Sequence, residues 1–148
     1  MKRIIILGIL IFISGFAWAK SGRTADTPRR LSLDPQSLFD TYNEIYFDNK
    51  LPKAIVVGEE PSGGHAPDEV LLGNTEHAVG SHWYKIQISP RYNVYKQDEE
   101  ETVLHEMAHE YVWEQAEARG EAYDGNHGAE WQSCMKALAS KDAFQFIW

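Results

Sequence analysis

Hydrophobic positions first recur at helical spacing between residues 35 and 47. The apolar residues there share one face of a helix, and they are Leu38, Phe39, Tyr42, Ile45 and Tyr46. Asp34 and Pro35 precede them as an N-cap and a proline at the first helical position. Asn49 and Pro52 follow as helix-ending residues. The pattern predicts an amphipathic helix that covers one side of a core.

Short apolar runs after this helix indicate strands. Residues 54–57 are rich in β-branched side chains, and residues 83–88 alternate with a period of two. Residues 70–72 form a third candidate strand. Prolines and paired glycines between residues 59 and 69 predict a loop, and residues 73–81 are expected to form a turn or an exposed rim.

The strongest helical pattern begins near Asp98, runs through Glu117 and ends at Gly120. Acidic residues 99–101 lie in its first turn, where negative charge suits the helix dipole. Glycine is common just beyond the last helical residue, so Gly120 is a natural stop. A final helix is predicted over residues 129–139, with Trp131, Met135 and Leu138 on one face. The apolar tail, residues 144–148, is expected to pack back onto the domain.

The N-terminus has the organisation of an export signal. A basic start, an apolar run and a small-x-small cleavage site follow one another within residues 1–19. Cleavage after Ala19 predicts an exported protein, periplasmic or secreted, with no stable membrane insertion; an uncleaved segment would tether it to the membrane. Residues 20–33 are polar and aperiodic, which predicts a flexible linker. The folded domain is therefore expected to span residues 34–148.

Composition narrows the class of protein. A chain of 148 residues suits one domain, and 43% hydrophobic residues supply a packed core. The 14 basic residues against 22 acidic ones give a net charge of −8, which disfavours binding to a phosphate backbone. No nucleic-acid partner is expected. The single cysteine, Cys134, forms no internal disulfide and is expected to be a small buried hydrophobe.

The sequence His-Glu-x-x-His occurs inside the strongest predicted helix. His105 and His109 are four residues apart, so both imidazoles lie on one helical face and can reach one ion. Zn²⁺ is the expected occupant, one per chain, because it takes neutral imidazole nitrogens in tetrahedral geometry. Glu106 projects beside the ion, where it can accept a proton from zinc-bound water and pass it to a leaving amine.

A catalytic zinc needs a third protein ligand and one open position. His127 is the preferred candidate, because the adjacent Gly128 allows a close approach just before a predicted helix. The acidic residues Glu121, Asp124 and Glu130 are the alternatives. The compact metzincin arrangement would place a histidine six residues after His109, where this chain has Gln115.

Other side chains near these positions have more ordinary interpretations. Tyr123, in the loop before His127, is a candidate to stabilise the oxyanion formed during peptide hydrolysis. His65, His77 and His82 are interpreted as solvated loop histidines, with a secondary metal contact as the alternative. The tryptophans at 113 and 131 are expected in the core or in a cleft wall.

Several segments match one family in order. They are residues 38–43, 46–52, 86–90, 102–109 and 127–131, and the resemblance spans about residues 36–135. In these segments the chain resembles a SprT-like zinc metallopeptidase domain. HExxH alone is shared by many families, but its combination with His-Gly-x-x-Trp at 127–131 is much narrower.

The resemblance implies a zincin-like α+β fold, with a short sheet of about three strands, the HExxH helix and flanking helices. It implies His105, His109 and His127 as zinc ligands and Glu106 as catalytic base. The family includes enzymes that digest proteins crosslinked to DNA. An export signal, an acidic surface and the lack of zinc-ribbon cysteines set this chain apart, so the protease chemistry is expected to transfer and the DNA-linked role is not.

The sequence thus predicts an exported zinc-dependent metalloendopeptidase with a protein or peptide as substrate. One alternative is a non-catalytic binding module in which zinc merely stabilises the fold. The other is a zinc hydrolase that acts on cell-wall peptide amides. The natural substrate and the oligomeric state do not follow from the sequence.

Overall fold

Three helices and three strands make up the part of the chain that the structure describes. The computed structural model describes residues 34–62, 70–78 and 80–145. In chain order the elements are α1 (Pro35–Phe47), β1 (Ala54–Val57), β2 (Gly73–Ala78), β3 (Trp83–Ile88), α2 (Lys96–Ala118) and α3 (Ala129–Ser140). This architecture confirms the predicted α+β class with a three-stranded sheet.

The predicted signal peptide (1–19), the predicted linker (20–33) and the last three residues lie outside the described residues. Among the described helices, none combines the length and the apolar character needed to cross a bilayer.

The sheet has the order β1-β3-β2. β1 pairs with β3 in parallel, with Ala54 opposite Tyr84, and β2 pairs antiparallel on the other side, with Gly73 opposite Ile88. The predictions for β1 and β3 are confirmed. The predicted strand at 70–72 is wrong, and so is the predicted turn or rim over residues 73–78, because those residues form the strand. Residues 80 and 81 lie in a turn, as predicted.

Tertiary pairing explains this difference. The β2 sequence Gly-Asn-Thr-Glu-His-Ala contains few strong strand formers, yet all six residues pair with β3. Propensity for a strand depends strongly on what a residue packs against, and β2 packs against α2 as well as against β3. The local sequence therefore underestimates the strand.

The helices enclose one hydrophobic core against the sheet. α1 contributes Leu38 and Phe39, as its periodicity predicted, and ends where Asp48 takes a left-handed φ of 56°. α2 starts two residues before the predicted Asp98 and crosses the middle of the core. Cys134 of α3 is buried as expected. The principal α2 and β3 members of the core are Val103, Leu104, Met107, Ala108, Val112, Tyr84, Ile86 and Ile88.

The described part of the C-terminal tail supports the expectation that it packs back. After α3 the chain turns, and Ala143 is buried in the hydrophobic core. Phe144 is partly buried against the same core. The last turn therefore closes over the end of the domain.

Candidate metal centre

His105 and His109 project from consecutive turns of α2. The helix begins after Tyr95, whose backbone N–H donates to the Asp98 carboxylate at 3.3 Å, a side-chain contact typical of helix N-termini. Apolar residues on the neighbouring faces pack into the core, so the histidine face meets the loop that follows α2. The imidazole centroids of the pair are 5.1 Å apart.

The loop between α2 and α3 brings in His127. Gly120 and Gly125 turn this loop with positive φ values of 71° and 76°, which side chains with a β-carbon rarely adopt. The loop ends at Gly128, the residue before α3. His127 is thus placed next to the two helical histidines.

The three imidazoles converge through the same nitrogen. Nε2 of His127 lies 3.0 Å from Nε2 of His105 and 3.1 Å from Nε2 of His109. A tetrahedral zinc ion with bonds of 2.0–2.1 Å holds its ligand atoms about 3.3 Å apart. The spacing therefore fits three nitrogen ligands of one Zn²⁺ ion.

Protonation also fits metal binding. Burial and the neighbouring His127 lower the pKa of His109 to about 3. Burial, together with His109 and His127, lowers the pKa of His105 well below its ordinary value, and burial lowers the pKa of His127. All three rings are therefore neutral at pH 7, the state in which imidazole binds a metal.

Trp131 forms the wall behind the three histidines. Its ring centroid lies 4.2 Å from that of His127, 4.8 Å from His105 and 5.6 Å from His109. Because α3 begins two residues earlier, the His-Gly-x-x-Trp spacing puts the tryptophan one helical turn beyond the third histidine. The indole limits water access to the imidazoles and restricts their orientation.

The hydroxyl of Tyr123 determines the orientation of His109. It donates to the carbonyl of Asn126 at 2.6 Å and lies 2.8 Å from Nδ1 of His109. A phenol has one proton, so Nδ1 must donate and Nε2 carries the lone pair. The geometry thus gives the hydroxyl a ligand-positioning role, and the oxyanion role stays a prediction.

Glu106, the residue after His105 on α2, is buried. Thr75 of β2 donates its hydroxyl to Oε2 of Glu106 at 2.6 Å. Burial raises the pKa of Glu106 to about 7, and the Thr75 hydrogen bond opposes part of that rise. A carboxyl group with a pKa near neutrality is suited to accept and return a proton.

Gly73 provides the space for the Glu106 side chain. A β-carbon at Gly73 would lie 2.7 Å from Cγ2 of Thr102 and 2.9 Å from Oε1 of Glu106. Both separations are shorter than ordinary contacts, so only glycine fits there without displacing Glu106. Sequence reasoning missed Gly73 and Thr75 as site residues, because it interpreted β2 as a turn.

The alternative third ligands are engaged elsewhere. Glu121 and Glu130 accept from Arg119, at 2.7 Å and 2.6 Å, and Asp124 accepts from the backbone of Asn126 at 3.2 Å. Of the described residues near the HExxH helix, His127 is the one that the structure brings to His105 and His109.

Removing the Tyr123 hydroxyl tests its role in orienting His109. We expect Tyr123→Phe to weaken zinc binding by about 10–100-fold, the usual cost of losing a hydrogen bond to a metal ligand. Competition with a chromogenic chelator measures the dissociation constant. Tyr92→Phe, which removes a hydroxyl from the β3–α2 loop, is the matched control. Equal affinity in the two variants would show that Tyr123 does not orient His109.

Comparison with protein families gives a match over most of the chain. The model of the SprT-like family matches residues 35–146, which include all six described elements and the three histidines. A comparison with curated proteins gives no significant match. The family is associated with zinc, and its domains are zinc metallopeptidase-like, in agreement with the geometry of the centre. Because the match covers well over half of the sequence, the chain belongs to the SprT-like family.

Proposed function

We propose that this protein is an exported zinc-dependent metalloendopeptidase. The observation that carries the proposal is the convergence of three neutral imidazole nitrogens, with the buried carboxyl group of Glu106 one residue after His105 on the same helix. A zinc site that only stabilises a fold has no need for a carboxyl group in that position. The export part of the proposal depends on the pattern of residues 1–19.

The protein groups divide the chemistry among them. His105, His109 and His127 would hold the zinc through Nε2 and leave a fourth position open. When bound, zinc polarises the scissile carbonyl and lowers the pKa of water. Glu106 accepts the proton of the attacking water on its carboxylate and later transfers it to the leaving amine nitrogen. The Thr75 hydroxyl holds Oε2 of Glu106 during both transfers.

The sheet supplies a place for an extended substrate. β2 is an edge strand of the described sheet, and its residue Thr75 contacts Glu106. A peptide that adds a strand to this edge would use its backbone for binding and would run past the Glu106 carboxyl. This arrangement favours a protein or peptide substrate. The net charge of −8 supports no nucleic-acid partner.

A substrate panel tests the proposal against its two alternatives. The purified protein is incubated with an unfolded protein, a folded protein and peptidoglycan fragments, and products are identified by mass spectrometry. We expect internal cleavage of the unfolded protein, loss of cleavage on chelation, and its return with added zinc. Cleavage of peptidoglycan alone would establish the cell-wall amide hydrolase instead. Full zinc loading without cleavage of any substrate would favour the binding module.

A further inference from the structure

A second group of histidine and glutamate side chains lies beyond the HExxH segment of α2, against the turn between β2 and β3. Ligand atoms of His82, Glu114 and Glu117 all lie within 4.8 Å of one another. Glu114 and Glu117 are three residues apart on α2 and therefore share one face. We propose that His82, Glu114 and Glu117 form a second metal site that takes Zn²⁺, with the buried His77 beside Glu117.

The burial of His77 and its lack of hydrogen bonds within the described part of the chain distinguish this group from an ordinary surface ion pair. Its side chain is only 2% exposed, and its Nε2 lies 3.0 Å from Oε1 of Glu117. Neither ring nitrogen makes a hydrogen bond with the described residues, so the Glu117 contact lacks hydrogen-bond geometry. A buried imidazole left in this state is costly, so the end of α2 beside Glu117 differs from an ordinary surface ion pair, although His77 itself lies outside the group of mutually close ligand atoms.

Packing holds the His77 ring against the cluster. The ring is stacked between Tyr84, at a centroid distance of 4.6 Å, and Trp113, at 5.3 Å. His77 and Tyr84 are cross-strand partners in the register of β2 and β3, so their side chains lie on the same face of the sheet. The imidazole cannot turn away to find water, and its Nε2 stays beside Glu117.

The carboxylates of the cluster are oriented by further hydrogen bonds. Tyr84 donates its hydroxyl to Oε1 of Glu114 at 2.8 Å, and the backbone N–H of Gly80 donates to Oε1 of Glu117 at 3.2 Å. Nδ1 of His82 lies 2.9 Å and 3.0 Å from the two oxygens of Glu114. The two distances between His82 and Glu114 are close to the separation of about 3.3 Å between the ligand atoms of a tetrahedral zinc ion.

The donor set indicates which cation binds. One imidazole with two carboxylates suits zinc, with a fourth position left for water, whereas calcium and magnesium prefer oxygen ligands alone. Binding would join the β2–β3 turn to α2. Since β2 also carries Thr75, which contacts Glu106, the second ion would stabilise the strand that holds the carboxyl group of the first centre.

The two centres are separate. Glu117 is eight residues beyond His109 on α2, a distance of about 12 Å along the helix axis. The indole of Trp113 lies between them, with ring centroids 5.3 Å from His77 and 6.1 Å from His109. The proposal therefore does not depend on the enzymatic function proposed above.

A count of bound zinc in the full chain tests this proposal. After equilibration with Zn²⁺ at pH 7.5 and removal of loosely bound metal, we expect elemental analysis to find about two ions per chain. His82→Ala and Glu117→Gln should each reduce the count to one. Glu44→Gln, which alters an exposed carboxylate on α1, is the matched control and should keep two. The His82 side chain is 72% exposed, so its removal leaves the core intact.

The competing interpretation is a charged His82 paired with Glu114 and no metal. Hydrogen bonding to Glu114 raises the pKa of His82, which favours that pair. A single zinc in the wild type that is unchanged in His82→Ala would establish the ion pair and overturn the proposal. Two ions retained in both variants would place the second ion elsewhere and would also overturn it. His127→Ala reports on the first centre alone, so failures of the two sites are distinguishable.

Discussion

Replacing Glu106 by glutamine is expected to lower the rate of peptide hydrolysis by about 10²–10⁴-fold, with zinc binding unchanged. The amide cannot accept a proton as the carboxylate does, so the attacking water loses its general base. Glutamine has nearly the same size as glutamate and fits in the space beside Gly73. Neither Glu106 oxygen belongs to the three-nitrogen group that would hold the metal.

The contacts of Glu106 make this variant specific for proton transfer. Thr75 donates its hydroxyl to Oε2 of Glu106, and the hydroxyl can donate equally well to the carbonyl oxygen of a glutamine. The position of the side chain is therefore preserved while its acid–base chemistry is removed. Binding of a peptide substrate should change little, because the backbone of β2 is unaltered.

Initial rates on an unfolded protein, measured beside zinc content, separate the outcomes. Glu44→Gln makes the same chemical change on the exposed face of α1 and should keep the full rate. Hydrolysis by Glu106→Gln at the wild-type rate would contradict the assignment of Glu106 as the base. Loss of zinc in that variant would show instead that the carboxyl helps to build the metal centre.

The helices and the grouping of His105 with His109 could be predicted from the sequence because their signals are local. The i, i+4 spacing of His105 and His109 needs only a helix to put both rings on one face. The periodicity of apolar residues indicated α1, α2 and α3, and the structure confirms each to within two residues. His127 was a preference among several ligands, and the loop geometry brings it to the other two histidines.

β2 could not be predicted, because its inward positions serve the two clusters of polar side chains. Alternate residues of a strand point to the same face, and on β2 these are Gly73, Thr75 and His77. They meet α2 in order: Gly73 lies against Thr102, Thr75 bonds Glu106, and His77 stacks on Trp113. A strand with glycine, threonine and histidine on its buried face has no hydrophobic alternation to detect.

Glu110 shows a second limit of sequence reasoning. It lies one residue after His109 and has the same local character as the partly exposed acidic residues of α2, such as Glu114 and Glu117. In the structure it is fully buried, and both carboxyl oxygens lack hydrogen-bond partners among the described residues. Burial and the neighbouring Glu114 raise its pKa to about 9, so it is neutral at pH 7. Only the tertiary packing separates Glu110 from a solvated glutamate.

Replacing His127 by alanine is expected to weaken zinc binding at the first centre by more than about 100-fold. Loss of a residue that only hydrogen-bonds to a metal ligand usually lowers metal affinity by about 10–100-fold, so loss of a direct ligand should lower the affinity further. Nε2 of His127 lies 3.0 Å from Nε2 of His105 and 3.1 Å from Nε2 of His109, as expected of a direct ligand. Two imidazoles on one helix would remain, which is too few to hold zinc firmly.

The measurement is made in a His82→Ala background, which removes the proposed second site, so that the zinc affinity measured is that of the first centre alone. Competition with a chromogenic chelator gives the affinity with and without His127. Glu130→Gln is the matched control, because Glu130 lies three residues further on and pairs with Arg119. Hydrolysis should be lost together with the metal in His127→Ala and kept in Glu130→Gln.

Either result identifies the residue that acts as the third ligand. Unchanged zinc affinity in His127→Ala would assign the third ligand to Glu121, Asp124 or Glu130 instead. That carboxylate would first have to give up its hydrogen bond, with Arg119 for Glu121 and Glu130 or with Asn126 for Asp124. Zinc binding lost in His127→Ala but kept in Glu106→Gln would separate the group that holds the ion from the group that moves the proton. That separation is what an enzyme of this design requires, since the ligands must stay unprotonated while Glu106 gains and loses a proton in each cycle.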